Sequence, residues 1–238
     1  MSKRAIILAG GRGTRLRPYT TVLPKPLMPI GEYPILEVLI RQLVSHRFTE
    51  ITLAVNHQAD IIKAFFGNGS RWKVRIDYSL ETMPMSTIAP LSLIRDLPED
   101  FLLLNGDVLT DFNFSAFLEH HVEEHDLFTI AAARRVQIID YGVLQVDNAS
   151  RLTGFSEKPR TEYLVSMGVY AVNRAVVGFV PPGLSYGFDN LMRDCLQRGE
   201  RVAVHQHDGY WLDIGRPDDY ARAIEEFEQH RHEFLPPL

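Results

Sequence analysis

A four-residue apolar run, Ala5-Ile6-Ile7-Leu8, breaks directly into Ala9-Gly10-Gly11-Arg12-Gly13-Thr14-Arg15-Leu16-Arg17-Pro18, and Leu23-Pro24-Lys25-Pro26 follows. A short apolar run that ends in glycine reads as a buried strand of an α/β sheet, where ligands bind at the carboxyl ends of strands. The three glycines are expected to turn through positive φ and bring backbone N–H groups close to an anion, where a Cβ would obstruct. Arg12, Arg15, Arg17 and Lys25 concentrate positive charge in a chain whose formal net charge is −5. Prolines on both sides of Lys25 restrict its backbone, which suits a lysine that must hold phosphate in a fixed place.

Better-known phosphate loops do not match. A dinucleotide fingerprint wants a small residue where Leu16 stands, and a P-loop wants Gly-Lys-Ser/Thr after its first glycine. For the glycines alone, an ordinary strand-to-helix turn with solvated arginines is an equal reading.

The first half alternates apolar and amphipathic stretches in a βαβ rhythm. Pro34 is expected at the first helical position, ahead of Ile35, Leu36, Leu39, Ile40, Leu43 and Val44 on one face. Strands are expected at 51–55, along Trp72, Val74, Ile76 and Tyr78, and at 101–104, with helices at 59–66 and 88–97. The last of these strands delivers Asn105-Gly106-Asp107 to the ligand edge, near the glycine loop. In the second half strands are expected at 129–133, 141–146, 151–155, 165–172 and 201–205, a loop at Pro181-Pro182-Gly183, and helices at 188–198 and 218–232. The expected fold class is a three-layer α/β/α sandwich around a Rossmann-like mixed sheet with a small β-rich lobe. We read 1–238 as one unit with no internal repeat, its halves at about 1–110 and 111–238; the family resemblance given below implies a nucleotide-binding first half, a sugar-phosphate-binding second half and no C-terminal β-helix.

Composition narrows the function. At 238 residues and 45% hydrophobic the chain can bury one substantial core. No apolar run approaches the ~18 residues of a membrane span and no signal-peptide core follows Met1-Ser2-Lys3-Arg4, so a cytoplasmic protein is expected. Without a basic excess, nucleic acid is not an expected partner. Cys195, the single cysteine, is expected to be a small core residue. His121-Val122-Glu123-Glu124-His125 spells a zinc-protease pattern, but its charge predicts a solvent-facing segment and no zinc. His205 and His207 lack a third ligand nearby, and Trp72 and Trp211 are expected to pack.

The loop at 8–34, with Pro24-Lys25-Pro26-Leu27, resembles the N-terminal signature of the sugar-1-phosphate nucleotidylyltransferases, in particular the short mannose-1-phosphate guanylyltransferase-like members. Asn105-Gly106-Asp107, Glu157-Lys158-Pro159 and Trp211-Leu212-Asp213-Ile214-Gly215-Arg216-Pro217 are similar to that family's later motifs, in the same order. The resemblance implies transfer of a nucleoside monophosphate from an NTP to a sugar 1-phosphate, releasing pyrophosphate, with Mg²⁺. It implies catalytic roles for Arg15, Lys25 and Asp107, with Arg15 on the β and γ phosphates and Lys25 on phosphate at the transition state. It places the nucleotide against Leu8, Ala9, Gly10, Gly11, Gly13, Thr14, Glu81 and Ser86. Tyr141, Gly142, Glu157, Lys158 and Gly168 are the expected sugar-phosphate contacts.

A sugar phosphate is already ionised at neutral pH, so charge repulsion rather than proton removal is the main obstacle, and positioning plus cations answer it. Mg²⁺ keeps several waters and needs only one or two carboxylates, for which Asp107 and Asp213 are the candidates. Two departures bear on specificity. Ser86-Thr87-Ile88-Ala89 stands where many relatives carry Gly-Thr-Ala-Gly, and Glu81 stands where uridylyl and thymidylyl relatives carry glutamine. A carboxylate only accepts hydrogen bonds, matching the two adjacent donors of guanine, so GTP is the favoured NTP and a mannose- or heptose-like sugar the favoured acceptor. The lost glycines keep open a second reading, a nucleotide-sugar-binding regulator with weak or no catalysis. A homo-oligomer is compatible with the sequence.

Overall fold

The computed structural model describes residues 3–56 and 58–236. Met1 and Ser2 of the start discussed above lie outside them. In chain order the strands are β1 (Lys3–Leu8), β2 (Pro29–Ile30), β3 (Tyr33–Pro34), β4 (Phe48–Val55), β5 (Arg75–Leu80), β6 (Asp100–Asn105), β7 (Val108–Thr110), β8 (Phe128–Ile138), β9 (Gly142–Val146), β10 (Leu152–Glu157), β11 (Arg160–Asn173), β12 (Val202–His207) and β13 (Trp211–Asp213). The helices are α1 (Ile35–Ser45), α2 (Ala59–Phe66), α3 (Phe114–Glu124), α4 (Phe188–Arg198), α5 (Pro217–Gln229) and α6 (Arg231–Phe234).

A seven-stranded mixed sheet in the order β12-β8-β11-β6-β1-β4-β5 organises these elements. β6, β1, β4 and β5 are mutually parallel, while β11 runs antiparallel to both β6 and β8. Side chains of a strand alternate between faces, which divides the apolar runs between two cores. Ala5, Ile7, Leu102 and Leu104 pack with Leu36, Leu39 and Leu43 of α1, Ile62 and Phe66 of α2, and Phe117 of α3. Ile6, Phe101, Leu103 and Phe128 face the other way, against Leu91 and against Leu191 and Cys195 of α4. A third cluster joins Leu16 of the glycine loop to Leu212 and Ile214, which flank Asp213, and to Ala223, Phe227 and Phe234 of the C-terminal helices. That cluster binds the two ends of the chain's chemistry together.

Several expectations are corrected. Pro34 is the residue before α1, in extended conformation (φ −62°, ψ 145°), because it pairs in the short β2–β3 ladder. Trp72 sits in a 3₁₀ turn, Ser70–Trp72, rather than in a strand, and Val74 precedes β5. Trp72 does pack, 1% exposed, with its Nε1 donating to Glu37 Oε1 at 3.1 Å. The segment 88–97 forms only the 3₁₀ turn Ala89–Leu93, in which Pro90 lies in the first turn. Proline is tolerated in a first turn, so Pro90 alone does not bar an α-helix; the backbone N–H groups of Ile88 and Ala89 bond to the Tyr186 carbonyl, which pins the start of the segment to a distant part of the chain. The 218–232 stretch divides into α5 and α6 at His230. The 121–125 segment is not uniformly solvated: His121 is fully buried, its Nδ1 2.7 Å from Thr129 Oγ1, and burial lowers its pKa, keeping it neutral. Among the described residues no helix is long and apolar enough to cross a membrane.

Phe227 is fully buried, stacks on Phe234 at 6.0 Å, and its ring lies where a Cβ on Gly31 (φ 56°) would come within 2.7 Å. Phe227→Ala is expected to cost about 3–5 kcal/mol and lower Tm by roughly 10 °C in calorimetry. A loss below about 1 kcal/mol would show that the third cluster does not anchor this end of the chain.

Candidate active site

A cavity of about 400 Å³ opens where β1, β4, β5 and β6 end. It gathers eight of the residues expected from sequence: Leu8, Ala9, Gly10, Gly11, Lys25, Glu81, Ser86 and Asp107. It also takes in Asn56, which directly follows β4 and was missed, although the end of a parallel strand is where such a residue should be sought. Asn56 Nδ2 donates to the Gly10 carbonyl, tying the loop to the neighbouring strand end. Arg12 lines this cavity and the smaller one beside it, with Glu81 and Pro84, so it faces the mouth rather than the carboxylate end.

The glycines act differently from the expectation. Of the three, only Gly13 has positive φ (60°), and a Cβ there would come 2.9 Å from Thr20 and 3.2 Å from Lys25. Gly10 is needed for closeness, since its Cβ would press Asn56 at 3.1 Å and Glu81 Oε1 at 3.3 Å. Around Gly11 there is open space within 4 Å.

The carboxylate end is built by a ladder of three residues a side. β13 pairs antiparallel with β7, setting Asp213 opposite Val108, and the Ile214 N–H donates to the Asp107 carbonyl at 3.1 Å. Asp107 and Asp213 thereby reach hydrogen-bonding distance of one another. Burial first, and then the Asp107 charge, push the Asp213 carboxyl up to about 6, while Lys25 and Arg15 pull it back. Lys25 Nζ forms an ion pair with Asp107 Oδ2, both side chains being largely buried (13% and 15% exposed). Arg15 and Asp213 come together over Gly215, where a Cβ would meet Asp213 Oδ2 at 2.9 Å and Arg15 Nη2 at 3.0 Å. Two carboxylates and two cations thus converge, although Arg15, Gly13, Thr14 and Asp213 lie just outside the cavity lining.

This pair fits a divalent cation on its own terms. Two carboxylates that resist joint ionisation are relieved by an oxygen-seeking ion, and Mg²⁺ needs no more than two from the protein. Among the described residues, no group of three or more His, Cys, Asp or Glu could hold a metal, so substrate or water would complete the coordination.

Ser86 adopts φ 69°, a conformation that favours glycine, and its Oγ occupies space that a Cβ on Gly187 would contest at 2.7 Å. Burial raises the Glu81 pKa, partly opposed by a hydrogen bond from the Met85 backbone. The sugar-phosphate candidates stand apart. Tyr141, Gly142, Glu157 and Lys158 meet where β8 runs into β9 and β10 into β11; Gly142 pairs with Glu157, and Lys158 Nζ is 2.7 Å from Asp140 Oδ1. None of the four lines the cavity. Gly168 (φ 72°) lies on the cavity side, against Asn105 Nδ2, which a Cβ would meet at 2.4 Å.

An acid held near 6 rather than 3.8 carries up to about 3 kcal/mol against its ionised form. The sign follows from the raised value: the folded chain takes up a proton as pH falls through 6, and its stability rises until the unfolded chain also protonates near 4. Asp213→Asn should therefore stabilise the ligand-free protein by about 1–3 kcal/mol above pH 6.5 in denaturant melts, with the gain vanishing near pH 4. Destabilisation at pH 7.5 would contradict the crowding of these two acids.

Known proteins share this fold. In the *Bacillus anthracis* putative glucose-1-phosphate thymidylyltransferase the fold recurs with a TM-score of 0.75 at 21% identity, covering 94% of this chain and 95% of that one. HddC from *Yersinia pseudotuberculosis*, in complex with GMP-PN, gives 0.72 at 23% identity over 94% of this chain and 99% of its own. In sequence, a mannose-1-phosphate guanyltransferase of *Emericella nidulans* is 33% identical over 91% of this chain, and a UTP–glucose-1-phosphate uridylyltransferase of *Synechocystis* is 31% identical over 93%. The chain spans 62% of the length of each of these two relatives. The profile described as Nucleotidyl transferase matches residues 4–230, and with these similarities it shows that the chain belongs to the nucleotidyl transferase family.

Proposed function

We propose that this protein transfers a nucleoside monophosphate from an NTP to a sugar 1-phosphate, yielding an NDP-sugar and pyrophosphate. The observation that supports it is the convergence of Lys25, Arg15, Asp107 and Asp213 beside a cavity of nucleotide size. An ionised oxygen of the sugar phosphate attacks the α-phosphorus, and the bond to the bridging oxygen of the β-phosphate breaks as pyrophosphate leaves. Lys25 is positioned to exchange Asp107 for phosphate oxygens and to meet charge at the transition state, and Arg15 to clamp the departing phosphates. Asp107 and Asp213 would hold Mg²⁺, which supplies charge neutralisation on the phosphates. Leu8, Ala9, Gly10, Gly11, Gly13 and Thr14 shape the nucleotide side, while Tyr141, Gly142, Glu157, Lys158 and Gly168 serve the sugar phosphate. The partners are small molecules, with no nucleic acid and no membrane, and the reaction is assigned to the cytoplasm.

GTP is the proposed nucleotide, because the Glu81 carboxylate reaches the cavity beside Gly10 and can accept from two adjacent guanine donors. Uracil and thymine offer one donor between two acceptors, which a carboxylate repels. A mannose- or heptose-like sugar is the proposed acceptor. Ser86, which keeps a glycine-like φ, and Ala89 stand where many relatives carry glycine, and these two positions weigh towards the regulator reading.

Pyrophosphate release across a panel of NTPs and sugar 1-phosphates, with and without Mg²⁺, separates the readings. GTP should outperform UTP and dTTP, and chelation should abolish turnover; tight NDP-sugar binding with no release from any pair would favour the regulator. Lys25→Ala and Arg15→Ala should each lose about a hundredfold or more in kcat with the fold intact, and near-normal turnover would refute the assignment. Glu81→Gln should narrow the GTP advantage by about tenfold or more, since a hydrogen bond to a charged group contributes about 1.5–3 kcal/mol.

A further inference from the structure

Ser86 is held in a backbone conformation that a side chain disfavours. Its φ of 69° belongs to the left-handed region, and such a residue persists only where its surroundings enforce it. The enforcement comes from a distant stretch, the entry to α4. On one side of Ser86 the Met85 carbonyl accepts from the Tyr186 N–H at 3.1 Å, and on the other Thr87 Oγ1 accepts from the Phe188 N–H at 2.8 Å. The Ile88 and Ala89 N–H groups close on the Tyr186 carbonyl at 3.1 and 3.0 Å. These four hydrogen bonds tie the stretch 85–89 to 186–188.

The Thr87 bond differs from the other three. Those run between backbone groups, whereas the link to Phe188 needs a side-chain oxygen. Phe188 opens α4, and the first N–H groups of a helix have no partner within it. Gly187, at the cap position, has no side chain to supply an acceptor, and Thr87 supplies it from 101 residues away. The anchor is itself firm: Tyr186 is 5% exposed, its hydroxyl donates to Asp194 Oδ2 of α4 at 2.7 Å, and Met85, Ile88 and Ala89 are buried in the same apolar cluster as Leu191 and Cys195.

This brace reaches the group assigned to the base. Met85 is bonded in two directions, through its carbonyl to Tyr186 and through its N–H to the Glu81 carboxylate. Glu81, Met85, Ser86 and Thr87 all line the nucleotide cavity. A carboxylate that must accept from two adjacent donors discriminates only while its plane is fixed, and a neighbour bonded to rigid structure supplies that fixity. We propose that Thr87 is a positioning residue for nucleotide choice: by bonding to the start of α4 it fixes the 85–87 turn, and through Met85 it aims Glu81 at the base. The inference rests on the role given to Glu81 above.

Calorimetric binding of GTP and of UTP to the full chain, each with Mg²⁺ and without sugar phosphate, tests this. Thr87→Val removes the hydroxyl but keeps the branched shape; it should weaken GTP binding at least about fivefold and leave UTP within about twofold. Thr87→Ser keeps the acceptor and should bind GTP as the unsubstituted protein does. In a Glu81→Gln background the Thr87→Val change should cost less than about twofold, because the group it aims is already gone. Unchanged GTP binding in Thr87→Val, an equal loss for both nucleotides, or the full loss retained in the Glu81→Gln background would each overturn the proposal. Should Thr87→Val not fold, Thr87→Ala, which places no added branch beside the Phe188 N–H, is judged by the same criteria. If the unsubstituted protein does not favour GTP, the base assignment of Glu81 fails on its own and hydrogen exchange judges the brace. The Tyr186, Ile88 and Ala89 amides should then exchange at least about tenfold faster in Thr87→Val than in Thr87→Ser, and equal rates would overturn the brace as well.

Discussion

Two like charges held within reach of each other are the constraint on which the site depends. The β7–β13 ladder, closed by the Ile214 to Asp107 backbone bond, brings Asp107 and Asp213 together at one end. Carboxylates so placed cannot both ionise freely unless cations answer them. Lys25 and Arg15 do so from two sides, and the balance still leaves Asp213 near 6. Ligand-free, the centre is therefore electrostatically unfinished, and an added divalent cation with phosphate oxygens would complete it. Such tension is common at functional sites, where surrounding structure holds groups that would otherwise separate.

The surrounding structure here is the third apolar cluster. Leu16 follows Arg15 directly, while Leu212 and Ile214 bracket Asp213, and all three are buried with Phe227 and Phe234. Burying the neighbours fixes the charged residues in place without burying their charges fully. Glycines supply the remaining closeness: at Gly106 a Cβ would meet the Leu8 carbonyl at 3.0 Å, so the Asn105-Gly106-Asp107 turn can lie against the end of β1. A helix at the far end of the chain thus governs the geometry of a loop near its beginning.

The sequence made much of this legible, but unevenly. The continuous apolar runs 5–8 and 101–104 announced strands buried on both faces and placed Gly10 and Asp107 at one sheet edge, because local pattern and burial agree there. The β7–β13 ladder escaped notice, since three residues a side carry no period and their pairing bridges a hundred positions. The glycines were visible but their individual roles were not: Gly10 answers to Asn56 and Glu81, partners supplied by other strands. Pro90 was readable in 88–97 but gave no warning, since proline is tolerated in a first turn; the Tyr186 carbonyl that captures the Ile88 and Ala89 N–H groups comes from a distant part of the chain. His121 was judged by its charged neighbours, yet one side of α3 faces the core. The strands β8 to β12 were anticipated, but β8 and β11 each run five residues beyond the expected 133 and 165, past the ends of β12 and β6, a continuation that only tertiary pairing decides.

Specificity is layered on that centre. Under the proposed function Glu81 and Ser86 would shape the nucleotide end and Tyr141, Gly142, Glu157 and Lys158, at the base of the β9–β10 pair, would serve the sugar end, so base choice and acceptor choice would rest on separate elements. The centre itself is tested most directly by carbon-detected NMR titration of the Asp213 side-chain carboxyl in the ligand-free protein, alone and with Asp107→Asn. An apparent pKa near 6, dropping towards the ordinary aspartate range when Asp107 loses its charge, is the expected result. An ordinary aspartate titration in the unsubstituted protein would contradict the account, because the two carboxylates would then not share one site.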